Sequence, residues 1–251
     1  MSRVWLTGGS SGIGAALAEI LLEEGHRLAL SARQIMPLQA LATRFPNQVL
    51  LVTGDINERQ QVMEIGRRIK DSWGGLDMVI LNAGTCEYLE PGHFDAEQVE
   101  RVVRTNLFGT SHCVQEALPL LRCGERPHLV VVCSAVTWLA LPRAGAYGAS
   151  KAALRYLVES LRIDLAAEGI DVTLVSPGFV DTPLTRRNDF PMPMCWSAQH
   201  AARRIADRLR KRPLEITFPL PFILAIRLLG GLPARWRLAL GRRLARPPRM
   251  D

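Results

Sequence analysis

Tyr147 and Lys151 stand four residues apart in Tyr147-Gly148-Ala149-Ser150-Lys151, a spacing that puts both on one face of a helix. A phenol with its ordinary pKa of ~10 is a poor acid–base group near neutrality. An ammonium beside it favours the phenolate and should bring that pKa toward the working range. Ser134, 13 residues before Tyr147, follows an apolar run and supplies a hydroxyl suited to holding and polarising a carbonyl oxygen. A second constellation opens the chain, Thr7-Gly8-Gly9-Ser10-Ser11-Gly12-Ile13-Gly14. Glycines there permit a tight turn and let backbone approach a pyrophosphate at a helix N-terminus, where free N–H groups and the helix dipole favour anions. Gly8, Gly12 and Gly14 give G-x3-G-x-G, not the more familiar G-x-G-x-x-G.

Elements that must hold these groups can be read from hydrophobic periodicity. Short, nearly continuous apolar runs predict strands at Val4–Thr7, Arg27–Ser31, Val49–Thr53, Met78–Leu81, Leu129–Cys133, Asp171–Val175 and Glu215–Phe218, as expected for strands covered on both faces. Amphipathic periods between them predict helices at Ile13–Glu24, Pro37–Arg44, Glu58–Ser72, Asp95–Leu121, Tyr147–Glu168 and Ala198–Arg212. Strand alternating with helix implies right-handed βαβ units. The expectation is an α/β chain with one doubly wound domain and a seven-stranded parallel sheet.

With the glycine spacing and the Tyr-x-x-x-Lys pattern in place, the chain resembles the short-chain dehydrogenase/reductase family, and further motifs follow in that family's order. Asn82-Ala83-Gly84 comes after the fourth strand, Asn106 lies in Thr105-Asn106-Leu107-Phe108-Gly109, and Pro177-Gly178 follows the sixth strand with Val180 and Thr182 close behind. The resemblance covers about residues 3–183. It implies a Rossmann-type fold over residues 1–218 and a dinucleotide held by the glycine loop with Asp55, Ile56, Asn82, Ala83, Gly84, Pro177, Gly178, Val180 and Thr182. It also implies a catalytic set of Asn106, Ser134, Tyr147 and Lys151. In that set Lys151 also binds ribose, and Asn106 supports a water that links the lysine to solvent. Substrate would be lined by Val136, Trp138, Phe179, Met192 and Trp196 together with Ser134 and Tyr147, an apolar, Met-rich group suited to a hydrophobic carbonyl compound or alcohol.

Cofactor choice rests on the second strand's end. An acid there would accept hydrogen bonds from the ribose hydroxyls and repel a 2′-phosphate, but the sequence reads Leu30-Ser31-Ala32-Arg33. Arg33 suits the phosphate, with Ser31 and Ser10 as further hydroxyl donors. NADP(H) is the expected cofactor and carbonyl reduction the expected reaction. The alternative is a catalytically silent NADP(H)-binding sensor or scaffold.

A 48% hydrophobic, 22% charged composition excludes a disordered chain, a collagen-like repeat and a disulfide-stapled mini-protein. Cys86, Cys113, Cys123, Cys133 and Cys195 are odd in number and show no C-x-x-C pair, which fits neither a zinc site nor a disulfide framework. The five histidines are isolated, so no metal is expected. The opening residues are too short for a secretory h-region, and a cytoplasmic location is expected. Residues 201–251 carry 13 Lys/Arg against 3 acids, while the first 200 carry 18 against 21. Aromatic residues are few among those arginines, so no nucleic-acid partner is expected. Residues 219–251 form an apolar and basic extension, broken by Pro219, Pro221, Arg227 and Pro233 and too short in apolar run to span a membrane. It is expected to pack on its own domain or on a second subunit of a homodimer or homotetramer. Peripheral contact with a membrane surface is the alternative.

Overall fold

The computed structural model describes residues 1–90 and 92–245; Arg246 and Arg249 of the basic extension lie outside the described residues. In chain order the strands are β1 (Arg3–Thr7), β2 (Arg27–Ser31), β3 (Val49–Leu51), β4 (Met78–Leu81), β5 (His128–Val132), β6 (Asp171–Pro177), β7 (Val180–Asp181), β8 (Trp196–Ser197) and β9 (Glu215–Phe218). The helices are α1 (Gly12–Glu23), α2 (Met36–Arg44), α3 (Arg59–Trp73), α4 (Ala96–Val103), α5 (Thr110–Leu121), α6 (Gly145–Ala166), α7 (Ala198–Leu209), α8 (Leu220–Gly230) and α9 (Ala234–Leu244). The seven long strands form one parallel sheet in the order β3-β2-β1-β4-β5-β6-β9, the doubly wound α/β architecture expected from the sequence.

Strand alternation divides the apolar residues between two layers. Val4 and Leu6 of β1 face one layer with α1 and α7, whereas Trp5 faces the other with α3, α5 and α6. Leu28 and Leu30 against Ala29, and Val130 and Val132 against Leu129 and Val131, repeat the division. Both layers are buried, which is why the strands read as continuous apolar runs. Because β2 and β3 lie on one side of β1 and β4 on the other, a crevice opens at the carboxyl ends of β1 and β4.

Three local expectations are corrected. The single helix predicted over Asp95–Leu121 is instead α4, a π-helical stretch over Arg104–Gly109, and α5. The wider turn carries Asn106 inward, and the Thr110 hydroxyl donates to the Asn106 carbonyl at 2.8 Å. In the extension, Pro221 and Arg227 do not break the helix: Pro221 sits in the first turn of α8, where its missing N–H costs nothing, and α8 continues past Arg227 to Gly230. The two-residue strands β7 and β8 pair apart from the main sheet and are too short to leave a periodic signal.

Candidate active site

A cleft of about 620 Å³ runs over the carboxyl ends of the sheet strands. The turn between β1 and α1 forms its floor at one end. Gly8 and Gly12 have φ of +70° and +54°, backbone that side-chain-bearing residues rarely adopt. A Cβ at Gly14 would lie 2.1 Å from the Gly8 carbonyl oxygen, and one at Gly8 would lie 2.9 Å from Ala83 Cα. The turn is laced to the segment after β4. The Thr7 hydroxyl accepts from the amides of Asn82 and Ala83 at 3.1 Å each, while Asn82 Nδ2 donates to the carbonyls of Thr7 and Gly8 at 3.2 Å. Helix α1 starts in this turn, and Ser11 at its N-cap makes no side-chain cap bond, so its first N–H groups are left for a ligand.

Gly8, Ser10, Ser11, Gly12, Ile13, Ser31, Arg33, Asp55, Ile56, Asn82, Ala83, Gly84, Pro177, Gly178, Val180 and Thr182 line this cleft with Ser134, Tyr147 and Lys151. Gly14 lies behind the turn, buried where α1 crosses it. Arg33 is exposed at the rim and makes no ion pair among the described residues. Ser31 lies at the cleft but is largely buried; its hydroxyl accepts from the Trp5 indole N–H at 2.8 Å, which anchors the strand end and leaves its own O–H as a donor. Asp55 is occupied locally, its carboxylate accepting from the Asn57 amide at 2.9 Å.

At the cleft's other end, Ser134 follows β5 in extended backbone, its hydroxyl accepting from the Val136 amide at 3.2 Å. Tyr147 and Lys151 lie on α6. Lys151 is 4% exposed, and its ammonium donates to the Val132 carbonyl at 3.0 Å. Burial lowers its pKa. Burial pushes the Tyr147 phenol above its ordinary range, with the Cys86 thiol adding to the rise and a hydrogen bond with Ser134 opposing it. Loss of solvation is the largest influence on the phenol in this cleft. Asn106, fully buried, lies behind the cleft wall. Its side chain accepts from the Thr85 amide at 2.8 Å and donates to the Thr85 carbonyl and the Ser150 hydroxyl at 2.9 Å each. Ser150 in turn donates to the Tyr147 carbonyl at 2.7 Å, so Asn106 ties the loop after β4 to the helix that carries Tyr147.

Val136, Trp138, Phe179, Met192 and Trp196 do not line this cleft. Trp138 lies beneath two guanidiniums, Arg155 at 5.1 Å and Arg227 at 4.3 Å from its ring centre. Trp196 stacks on His200 and Phe218, and Met192 sulfur accepts from Asn188 Nδ2 at 3.3 Å. Phe179 instead joins Tyr88, Phe190 and Phe222 in an apolar ring cluster outside this lining, the rings following one another from Tyr88 to Phe190, Phe179 and Phe222 at centroid distances of 5.2, 6.1 and 5.4 Å, with Tyr88 near enough to Tyr147 to interact with it electrostatically. The Tyr88 phenol is raised by burial. Phe190 falls in the Phe190–Trp196 segment that the sequence offers for the substrate side, whereas Cys86, Tyr88 and Phe222 were missed; only Tyr88 and Cys86 carried a signal, their position just after Asn82-Ala83-Gly84.

The family model for short chain dehydrogenases matches residues 2–190. The chain belongs to that family. An uncharacterized oxidoreductase of Myxococcus xanthus strain DK1622 is 34% identical to this short-chain dehydrogenase over 242 residues, 95% of this chain and 96% of the relative. A short chain dehydrogenase from Burkholderia cenocepacia J2315, solved in complex with NADP, superposes with a TM-score of 0.81 at 27% identity over 98% of both chains. An alcohol dehydrogenase from the archaeon Thermococcus sibiricus, complexed with 5-hydroxy-NADP, superposes with a TM-score of 0.78 at 25% identity over 87% of this chain and 96% of the other.

Proposed function

We propose that this oxidoreductase reduces a carbonyl group on a hydrophobic substrate with NADPH, or runs the reverse alcohol oxidation with NADP. The observation that carries the reading is a single cleft that joins the glycine turn and Arg33 to Ser134, Tyr147 and Lys151. The residues present fit the dinucleotide: a turn closed to side chains at Gly8 and Gly14 leaves backbone at its surface, beside the uncapped start of α1. Gly8, Ser10, Ser11, Gly12 and Ile13 would hold the pyrophosphate, Asp55 and Ile56 the adenine end, and Arg33 the 2′-phosphate. Asn82, Ala83, Gly84, Pro177, Gly178, Val180 and Thr182 would flank the rest, as would Tyr147 and Lys151. When bound, the nicotinamide supplies or accepts the hydride.

This chain's own groups handle the proton. Ser134 Oγ donates to the substrate oxygen and holds it beside Tyr147. The Tyr147 phenol, neutral near pH 7, donates its proton as charge develops on that oxygen. Lys151, held by the Val132 carbonyl, places a positive charge behind the phenol and favours the phenolate that remains. Asn106 fixes Tyr147's helix through Ser150, which makes it a positioning residue. The apolar ring wall selects hydrophobic carbonyl compounds.

In this reading residues 1–218 are the catalytic unit and the remainder an extension. Free thiols at all five cysteines suit a reducing cytoplasm. Tyr156 and Ile163, seven residues apart on α6 and 78% and 77% exposed, offer an apolar face for a homodimer or homotetramer. A panel of hydrophobic aldehydes and ketones, followed by NADPH absorbance, tests the activity. Turnover by wild type and its loss in Tyr147→Phe are expected; undiminished turnover in that variant would overturn the assignment.

A further inference from the structure

We propose that the outer face of α8 and α9 docks on an anionic lipid surface. Helix α8 has two unlike sides. Its inner side is fixed to the body: Ile223 and Ile226 are 1% and 7% exposed, Phe222 packs on Phe179, and Arg227 pairs with Glu215 at 2.8 Å. Gly230 fits so closely on Trp138 that a Cβ would lie 2.1 Å from its carbonyl oxygen. Its outer side shows Leu220, Leu224 and Leu228, spaced four apart and 57–73% exposed. Helix α9 buries no residue at all. Trp236, Leu240 and Leu244 repeat the four-residue spacing, with Trp236 and Leu244 62% and 55% exposed. By helical geometry Arg237 and Arg243 flank that stripe on either side.

Charge identifies the occupant. Leu220–Leu244 contains five arginines and no Asp or Glu. Arg227 is committed to Glu215, while Arg235, Arg237, Arg242 and Arg243 make no ion pair among the described residues. A second copy meeting this face across a two-fold axis would set one basic, acid-free surface against another. An anionic bilayer satisfies both halves of the pattern: leucines and Trp236 enter the headgroup–acyl boundary, and arginine stems run along the apolar stripe with their guanidiniums on lipid phosphates. At 11 residues each, or about 16 Å, the helices lie on such a surface. No helix among the described residues is long and apolar enough to cross a membrane.

The test is sedimentation of the full-length chain with phosphatidylcholine vesicles and with phosphatidylcholine–phosphatidylglycerol vesicles. Binding to the anionic vesicles alone, reversed by high salt, is expected. Each arginine removed should weaken partition about fivefold, so Arg237→Gln with Arg243→Gln should weaken it roughly 25-fold. Leu224→Ser with Trp236→Ser should abolish binding with an unchanged melting temperature, because both side chains are exposed in the folded chain. A chain that stays in the supernatant with anionic vesicles at low salt overturns the proposal, as does equal binding to neutral vesicles. So does a Leu228→Glu variant that binds vesicles normally but sediments as a smaller assembly, which would make the face a subunit contact. None of these readouts depends on turnover.

Discussion

The two ends of the cleft are built by different means. Around the glycine turn, backbone does the positioning: positive-φ glycines, a helix crossing with no room for a Cβ, and a threonine and an asparagine that tie β1 to β4. Toward Tyr147 a wall of side chains drawn from four separate segments takes over, Tyr88, Phe190, Phe179 and Phe222 packed ring against ring, with Tyr88 the member that interacts with Tyr147. A backbone-built site tolerates almost no substitution at its glycines, whereas a side-chain wall can be remodelled one ring at a time. The first end suits a ligand shared by many proteins, and the second suits a substrate peculiar to one.

The largest effect is expected where the two ends meet. Tyr147→Phe keeps the ring but removes the proton donor, and turnover should fall at least about 100-fold. NADPH affinity, measured by fluorescence titration, should hardly change. Equal losses of binding and turnover would mean that the phenol shapes the site and does not donate a proton.

Gly14→Ala tests the backbone end directly. In an open helix the change would gain about 1 kcal/mol from helix propensity. Here the new methyl would stand 2.1 Å from the Gly8 carbonyl, so overpacking should cost about 1–3 kcal/mol or more and cofactor binding should be lost with it. A raised melting temperature would show that the turn yields easily and that the contrast between the two ends is weaker than drawn.

Arg33→Ala comes next. The guanidinium is exposed at the rim, and loss of one charge-assisted phosphate contact should weaken NADPH roughly 10- to 150-fold while leaving NADH nearly unchanged. Wild-type protein that binds both cofactors equally in the same titration would show that Arg33 is merely solvated.

This asymmetry also explains what could be read from the sequence. Glycine positions, the Asn82-Ala83-Gly84 loop and the Tyr147–Lys151 spacing follow from backbone constraints on local sequence, and the structure gathers these residues at one cleft. The seven long strands were legible because two-sided burial leaves continuous apolar runs. The wall was not. Its rings come from segments up to 134 residues apart, Tyr88 to Phe222, and no local pattern says which aromatic will meet which. Trp138 and Trp196 looked equally eligible by type, yet one serves as a platform for Arg155 and Arg227 and the other packs on Phe218. The burial of Tyr147 is hidden for a related reason: spacing shows the lysine four residues away but not how deep the phenol lies.

The smallest effect belongs to the latch over that wall. Arg143 donates to Asp189 at 2.8 and 3.0 Å, to Glu90 at 2.8 Å and to the Leu89 carbonyl at 3.3 Å. It thereby joins the segment that carries Phe190 to the one that carries Tyr88. Glu90 and Asp189 are 69% and 48% exposed, so solvent screens these pairs and each should contribute only ~0.2–1 kcal/mol. Arg143→Met keeps the stem and removes the charge. The two ring-bearing segments should then be held together less firmly, raising KM for the best carbonyl substrate roughly 2- to 10-fold with kcat almost unchanged and NADPH affinity unaltered. That split separates wall from floor, since a change confined to the side-chain end should leave the backbone end untouched. If Arg143→Met lowered NADPH affinity as much as it raised KM, the two ends would be one mechanical unit and the comparison would fail.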